Sequence, residues 1–239
     1  MRLDKVLANM GYGSRKDVRT FIRKGHVLLN GFTIRDHSKH VDPKRDTIEI
    51  NGEIVRYRKY IYIMLNKPKA IISATEDTRE RTVIDLLPRE YHHFKPFPVG
   101  RLDKDTEGLL LITNDGQLAH QLTSPRKGIE KTYVAKVKGK ITKEDVLTFK
   151  RGITLEDGYV TKPGVLTILK SDKISDIKLT ITEGKYHQVK RMFAALGHEV
   201  IYLKRVQMGR IVLDSKLPVG SFRELTDAEL TYCQSLKNR

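Results

Sequence analysis

Three acidic side chains stand at alternate positions in the segment Gly100-Arg101-Leu102-Asp103-Lys104-Asp105-Thr106-Glu107-Gly108. The segment lies between Pro98 and a run of apolar residues, which indicates a loop presented by a rigid scaffold, and such loops often carry function. Three interpretations of the acids are open. They form a polar turn with local ion pairs, or a divalent-metal site of hard oxygen ligands, or they include one nucleophilic or acid/base carboxylate held by a cation.

The metal interpretation requires Asp103, Asp105 and Glu107 to converge on one ion. Alternate side chains of an extended segment point to the same face, so the three acids could cluster. The adjoining Arg101 and Lys104 weaken the negative field that a cation needs, which counts against this interpretation. Other candidate ligands lack partners at metal-ligand spacing and are interpreted as surface or turn residues: His37, His40, His92 and His93. The sequence therefore predicts no metal site.

Strands and helices surround the acidic segment without a regular strand–helix–strand repeat, which favours an α+β domain. Leu109 to Thr113 is continuously apolar and predicts a buried strand directly after the acids. A strand at Tyr62 to Leu65 ends at Asn66-Lys67-Pro68, because proline cannot donate a ladder hydrogen bond. Periodicity predicts the other elements, which are helices at Gln117 to Leu122 and Lys185 to Leu196 and strands at Lys131 to Val137 and Ile177 to Thr182.

The first sixty residues predict a smaller unit of two helices followed by strands. The first helix carries apolar residues at helical spacing, namely Leu3, Val6, Leu7 and Met10. Ser14 can cap the second helix through a capping box with Asp17. Val27 to Ile34 predicts a hairpin, and its Asn30-Gly31 turn is of type I′ because both residues tolerate positive φ.

Positive charge dominates the chain. Its 45 Lys and Arg against 29 Asp and Glu give a formal net charge of +16 and a pI near 9.8. This imbalance favours a polyanionic partner, nucleic acid first, with a solvated basic surface as the alternative. The second helix concentrates cations on one face: Arg15, Lys16, Arg19, Arg23 and Lys24. The positive charges of these side chains repel one another unless an anion, such as a phosphate backbone, neutralises them.

Composition also excludes several classes of protein. The single cysteine, Cys233, cannot form an internal disulfide or a cysteine-clustered zinc site, which favours a reducing compartment. The first residues lack the apolar core of a signal peptide, and the most apolar stretch, Leu109 to Ile112, is too short to cross a bilayer. We expect a cytoplasmic protein that does not insert into membranes.

The acidic segment and the two leucines after it, Gly-Arg-Leu-Asp-x-Asp-Thr-x-Gly-Leu-Leu, resemble the catalytic loop of the pseudouridine synthases. Four more segments match that family in order and spacing: Asn66-Lys67-Pro68, Thr123-Ser124-Pro125, Glu130-Lys131-Thr132-Tyr133, and Glu183 through Met192. The first 55 residues resemble the ribosomal-protein-S-four-like RNA-binding domain. The residues that carry this second resemblance are Arg2-Leu3-Asp4-Lys5, Ser14-Arg15, and Gly25 through Gly31.

These resemblances imply a two-domain α+β protein. A small N-terminal RNA-binding domain of the αL type would span 1–55 and a linker 56–60. A catalytic domain with a mixed, mainly antiparallel sheet flanked by helices would span 61–239. The resemblance implies that Asp103 is the catalytic aspartate, that Tyr133 stacks on the target base, and that Lys190 is the ionic partner of Asp103. Without the family, Tyr133 is interpreted as a strand-face aromatic residue and Lys190 as a solvated helix lysine.

The implied reaction is the isomerisation of one uridine of ribosomal RNA to pseudouridine without a cofactor. Lys190, where related branches have arginine, and the N-terminal module are typical of the small-subunit ribosomal RNA type. The alternatives are a large-subunit enzyme, a non-catalytic RNA-binding assembly factor and a metal-dependent phosphotransferase. We expect a monomer that acts on ribosomal RNA in a small-subunit assembly intermediate. The predicted RNA-binding side chains are Arg2, Lys5, Arg15, Lys16, Arg19, Arg23, Lys24, Lys67, Arg101 and Lys104.

Overall fold

The computed structural model describes residues 1–237 and divides into two compact units. Unit 1 comprises Met1–Ile61 together with Pro88–Pro96, and unit 2 comprises Tyr62–Leu87 and the chain from Phe97 onward. The sequence had assigned Pro88–Pro96 to the larger domain. Because a division by contacts does not establish which pieces fold on their own, the domain limits of 1–55 and 61–239 stay a prediction.

Unit 1 contains short helices and an antiparallel sheet. Its elements are α1 (Leu3–Asn9), α2 (Arg15–Arg23), β1 (Val27–Leu29), β2 (Phe32–Thr33), β3 (Ile48–Ile50), β4 (Glu53–Ile54) and α3 (Arg89–His92). The strand order is β2-β1-β3-β4. Three sequence predictions are confirmed. Leu3, Val6 and Leu7 of the predicted stripe are fully buried, while Met10, just after α1, is half-buried. The Ser14 capping box is present, and Asn30 and Gly31 have φ of 52° and 82° between paired strands.

Asp4 in α1 is a buried carboxylate contacted by arginines. Its side chain is fully buried, and its Oδ2 lies 3.0 Å from Arg15 Nη2, 3.0 Å from Arg19 Nε and 3.2 Å from Arg2 Nη2. An internal anion thus compensates two of the cations on α2, so their mutual repulsion does not by itself require a phosphate. RNA binding by these arginines stays a prediction.

Asp4→Asn is expected to destabilise unit 1 by about 2 kcal/mol, because it leaves three arginines without their anion. The loss is smaller than for a fully buried pair since the arginines are partly exposed. Burial would raise the pKa of Asp4, but hydrogen bonds from Arg19, Arg15 and Arg2 lower it to about 2. The folded pKa lies below the unfolded one, so this stabilisation is present above about pH 4 and disappears as the pH falls toward 2.

Hydrogen exchange of the α1 amides measures this effect within unit 1, at neutral pH and along an acid titration. Glu49→Gln on β3 also removes one carboxylate from unit 1 and serves as the charge-matched control. Equal protection of α1 in Asp4→Asn and in the wild type at neutral pH would contradict the prediction.

Unit 2 is built on a mixed sheet. Its elements are β5 (Tyr62–Lys67), β6 (Phe97–Pro98), β7 (Glu107–Thr113), α4 (Gly116–Thr123), β8 (Lys131–Lys138), α5 (Lys143–Arg151), β9 (Val165–Lys170), β10 (Ile174–Ile181), α6 (Gln188–Ala194), β11 (Glu199–Met208), β12 (Ile211–Val212), β13 (Phe222–Glu224) and α7 (Asp227–Lys237). The main strand order is β13-β5-β7-β11-β8-β10-β9. Within the described chain only β7 and β11 pair in parallel, so the predicted mixed, mainly antiparallel sheet is confirmed. Leu118 and Leu122 of α4 and Cys233 and Leu236 of α7 join the sheet residues in one apolar core.

Gly108 lies where the backbones of β7 and β11 approach each other closely. It pairs with Arg205 in the parallel ladder, at φ of +103°. A Cβ atom at this position would lie 2.2 Å from the Arg205 carbonyl oxygen. Only glycine satisfies both the close approach and the positive φ. The glycine that ends the acidic segment therefore joins that segment to β11.

Candidate active site

The loop Gly100 to Thr106 connects β6 to β7, and the side chains of Ser73 and Lys67 form hydrogen bonds with its backbone. Ser73 Oγ donates to the Leu102 carbonyl at 2.8 Å and accepts from the Leu102 amide at 3.0 Å. Leu102 and Thr106 are buried, whereas Asp103 between them is partly exposed. The loop is therefore anchored at both ends of the acidic stretch while Asp103 reaches the surface of a cavity.

Lys67 anchors the same loop and does not reach the surface. Its side chain is fully buried, and Nζ donates to the carbonyl oxygens of Pro68, Asp103 and Thr106 at 3.0 Å each. Burial lowers the pKa of Lys67 to about 8, although the nearby acids oppose that shift. The structure corrects the prediction that Lys67 contacts RNA, because an ammonium group with its three donors used inside the protein has none left for a phosphate.

Lys190 on α6 lies between two carboxylates of the loop. Its Nζ is 3.3 Å from Asp103 Oδ2 and 2.6 Å from Asp105 Oδ1. Burial would lower the pKa of Lys190, but the contacts with Asp105 and Asp103 raise it above its ordinary value. His187 Nε2 lies 3.6 Å from the other Asp103 oxygen. The contact between Asp103 and Lys190 is thus present, and Asp105 shares the lysine.

Tyr133 on β8 lines the cavity beside Asp103 and is 7% exposed. Its Cα is in register with Leu179 on β10 and with Arg205 on β11. The charged and aromatic residues that line this cavity are Arg101, Asp103, Lys131, Tyr133, Lys185, His187, Lys190 and Arg205. The structure therefore brings the three predicted catalytic residues, which are far apart in sequence, to one place.

The turn before α6 departs from the predicted helix. Helical periodicity predicted a start at Lys185, but α6 begins at Gln188 because His187 adopts the left-handed conformation, with φ of 47°. A residue other than glycine in this conformation is strained, and such strain is often found at functional sites. Tyr186, which is 72% exposed, stacks on His187 with ring centroids 3.8 Å apart. No pattern in the sequence indicated this strained pair beside Asp103.

Two buried cations in the cavity received no role from the sequence, Lys131 and Arg205. Lys131 was named only as the start of a predicted strand and as part of a family motif, and β11 with Arg205 was not predicted at all. One sequence signal could have indicated Arg205. In a strand, residues two positions apart share a face, so Arg205 would lie on the same buried face as Leu203.

The other predicted RNA-binding side chains are surface residues. Arg101 and Lys104 flank Asp103 and are exposed, and Lys104 Nζ lies 2.8 Å from Glu80 Oε2. In unit 1 the exposed ones that do not contact Asp4 are Lys5, Lys16, Arg23 and Lys24. Their accessibility permits phosphate contacts, and their role in RNA binding stays a prediction.

Two features are absent from residues 1–237. No group of three histidine, cysteine, aspartate or glutamate side chains there could hold a metal ion. The third acid of the segment, Glu107 at the start of β7, accepts a hydrogen bond of 2.9 Å from the Tyr202 hydroxyl. Within the same residues, no helix combines the length and the apolar character needed to cross a membrane.

Comparison with known families identifies this arrangement. Residues 61–195 match the model of the RNA pseudouridylate synthase family, and residues 1–46 match the S4 domain. The chain belongs to the RNA pseudouridylate synthase family. It is 54% identical over 231 residues to an uncharacterized RNA pseudouridine synthase of Bacillus subtilis, covering 96% of this chain and 97% of that protein. The family resemblance found in the sequence is therefore confirmed.

Two further relatives of this pseudouridylate synthase carry more specific names. It is 42% identical to the ribosomal large subunit pseudouridine synthase B of Bacillus subtilis, over 98% of this chain and 96% of that protein. It is 38% identical to the ribosomal small subunit pseudouridine synthase A of Escherichia coli, over 96% of this chain and 98% of that protein. A crystal structure of a pseudouridylate synthase matches with a TM-score of 0.69 at 36% identity, over 98% of this chain and 99% of that one.

Lys190→Met is expected to lower the rate of pseudouridine formation on the order of 10²-fold, because Asp103 would lose the cation that orients it. Lys190→Arg preserves the charge and should keep most of the rate. Single-turnover conversion of substrate RNA measures both variants, with the exposed Lys178→Met on β10 as control. A wild-type rate in Lys190→Met would show that Asp103 needs no ionic partner.

Proposed function

We propose that the protein converts one uridine of ribosomal RNA, in the small subunit, to pseudouridine. The observation that carries this proposal is the position of Asp103, paired with Lys190 at 3.3 Å, in a cavity that Tyr133 also lines. The reaction breaks a glycosidic bond and remakes it at carbon. Positive charge therefore develops on the sugar, and the base must turn without escaping.

Each of the three residues has a role in this chemistry. The Asp103 carboxylate either bonds to C1′ of the ribose or stabilises the positive charge there. Lys190 pairs with that carboxylate and orients it. Tyr133 offers a π face to the extruded uracil, and this stacking offsets part of the few kcal/mol that extrusion costs.

The S4 domain match supports RNA recognition by the N-terminal part of the chain. We place phosphate contacts on its exposed cations, together with Arg101 and Lys104 beside Asp103. The substrate is proposed to be ribosomal RNA within a small-subunit assembly intermediate in the cytoplasm. The enzyme is proposed to act as a monomer, since a large asymmetric RNA requires no symmetric partner.

Mapping pseudouridine in both ribosomal RNAs of a strain that lacks the gene tests this function. Loss of one small-subunit pseudouridine, restored by the wild-type gene and not by Asp103→Asn, is the expected result. If every pseudouridine is retained, the protein is a non-catalytic assembly factor and the proposal is wrong.

A large-subunit uridine is the second candidate. It is favoured by the relative at 42% identity, which is named for the large subunit and matches at least as well as the small-subunit relative. The same map separates the two candidates, because the lost pseudouridine lies in one RNA or the other.

A further inference from the structure

Lys131 and Arg205 are buried cations on the same face of the sheet as Tyr133. Lys131 and Tyr133 are two residues apart on β8, so their side chains share a face, and Arg205 is in register with Tyr133 on β11. The ladder is irregular directly after Arg205, between Arg205 and Gln207. Such bulges are frequent next to active sites, where they redirect a side chain.

The Arg205 guanidinium is largely unsatisfied. The side chain is 3% exposed, and its Nε donates to the Leu109 carbonyl at 2.8 Å. Within residues 1–237, Nη2 is buried without a hydrogen-bond partner, and no carboxylate forms an ion pair with the group. A buried charge without a counterion is costly and is retained where it serves a function.

Lys131 is in the same situation. It is 5% exposed, and its Nζ donates to the Ile129 carbonyl at 3.0 Å. The nearby carboxylate, Glu183, accepts from Gln188 Nε2 at 2.6 Å, from the Tyr159 hydroxyl at 2.8 Å and from the Lys162 amide at 2.9 Å. Glu183 is therefore held by other donors. Lys131 and Arg205 are buried cations of the cavity in addition to Lys190, which pairs with Asp103.

Two uncompensated cations beside an aromatic ring suit a planar group that carries negative charge. A phosphodiester is a poor fit, because it is strongly hydrated and both cations are almost fully buried. Uracil meets the requirement once it is detached from the sugar. Its carbonyl oxygens accept hydrogen bonds, and its faces stack on a tyrosine.

We propose that Lys131 and Arg205 are catalytic residues that bind the detached uracil as an anion, an inference that rests on the proposed function. The N1–C1′ bond breaks and its electron pair leaves with N1, which spreads one negative charge over N1, O2 and O4. The two cations hold this anion against Tyr133 while it turns. C5 then forms the new bond to C1′, the C5 proton passes to water, and N1 takes a proton from water, so that no net proton is gained or lost.

The substitution Lys131→Met tests this role, because it removes one charge and a single hydrogen bond. With ribosomal RNA from the deletion strain as substrate, the single-turnover rate is expected to fall about 10²- to 10³-fold, as for loss of one oxyanion-hole donor. The Kd for that RNA should stay within about threefold, since only the reacting base gains charge. Arg205→Met is expected to behave alike. Lys136→Met, on the opposite, exposed face of β8, is the matched control.

The pH dependence separates a charged role from a structural one. Burial, reinforced by Arg205, lowers the pKa of Lys131 to about 8, while Glu183 opposes the shift and Lys162 adds to it. The wild-type kcat/KM should therefore decline above about pH 8. Lys131→Arg, which stays protonated, should lose that decline while keeping most of the rate at pH 7.

Three results would overturn the inference. The first is an unchanged single-turnover rate in Lys131→Met. The second is a higher Kd for the RNA in Lys131→Met with an unchanged rate. The third is a decline of kcat/KM at alkaline pH in Lys131→Arg that is as large as in the wild type. Each of these contradicts the uracil-anion role alone if the wild-type enzyme is active. If the wild-type enzyme itself forms no pseudouridine in ribosomal RNA, the proposed function fails and this inference fails with it.

Discussion

Asp103→Asn is expected to lower the rate of pseudouridine formation on the order of 10⁴-fold or more. An amide has nearly the shape of the carboxylate but is a poor nucleophile and carries no charge to stabilise a developing cation at C1′. RNA affinity should change by less than about threefold, because most of the binding energy comes from phosphate contacts elsewhere. Lys190 would keep Asp105 as a partner at 2.6 Å, so the local structure should persist.

The measurement is single-turnover conversion of ribosomal RNA together with the Kd for the same RNA. Asp176→Asn is the control, because Asp176 is a surface carboxylate that pairs with Lys136 away from the cavity. Full activity of Asp103→Asn would refute the assignment of the catalytic aspartate. A large loss of RNA affinity would instead place Asp103 in substrate binding.

Gly108→Ala is expected to destabilise unit 2 by about 3 kcal/mol or more, through overpacking and backbone strain together. The new methyl group would lie 2.2 Å from a backbone oxygen of β11, and a backbone atom cannot move aside as a flexible side chain can. The residue would also have to keep a φ of +103°, which alanine disfavours. The parallel pairing of β7 with β11 is therefore expected to open.

Denaturant unfolding measures this change, and Gly116→Ala is the matched control. Gly116 begins α4, has no positive φ and has open space where the methyl group of an alanine would lie. Alanine there should be neutral or slightly stabilising, since it lowers the entropy of the unfolded chain. Equal free energies of unfolding of the two variants would mean that β7 and β11 can move apart at Gly108 without loss of stability.

The sequence predicted the site well where the chain is contiguous. Local pattern predicted the acidic segment and the strand after it. Asp103, Tyr133 and Lys190 were singled out together only through the family resemblance, and their roles stay a prediction. Lys67 and the arginines around Asp4 were interpreted as RNA contacts because a cation in a polar sequence looks solvated. Only the fold reveals that Lys67 donates its hydrogen bonds inside the protein and that Asp4 contacts Arg2, just before α1, and two arginines of α2.

The elements that sequence reasoning missed have a common physical cause. β11 contains the polar residues Lys204, Arg205 and Gln207, so its sequence does not show the apolar pattern of a strand. It nevertheless pairs with β7 on one side and with β8 on the other. Its stability comes from ladder partners distant in sequence, which no local pattern records. Arg205 was missed for the same reason. α6 begins three residues later than predicted because the strained backbone at His187 is set by its surroundings and not by helix propensity.

The grouping of Pro88–Pro96 with unit 1 has a consequence for how the protein can be divided. A Cβ at Gly11 would lie 2.8 Å from the ring of His93, and the guanidinium of Arg58 lies 5.7 Å from the ring centre of Phe94. Phe94 is 8% exposed in the intact chain. A fragment that begins at Tyr62 would contain Phe94 without residues 1–61 of unit 1. A fragment that ends at Ile61 would lack Phe94. A single cut between Ile61 and Tyr62 would therefore put parts of unit 1 on both pieces and would separate Phe94 from Arg58.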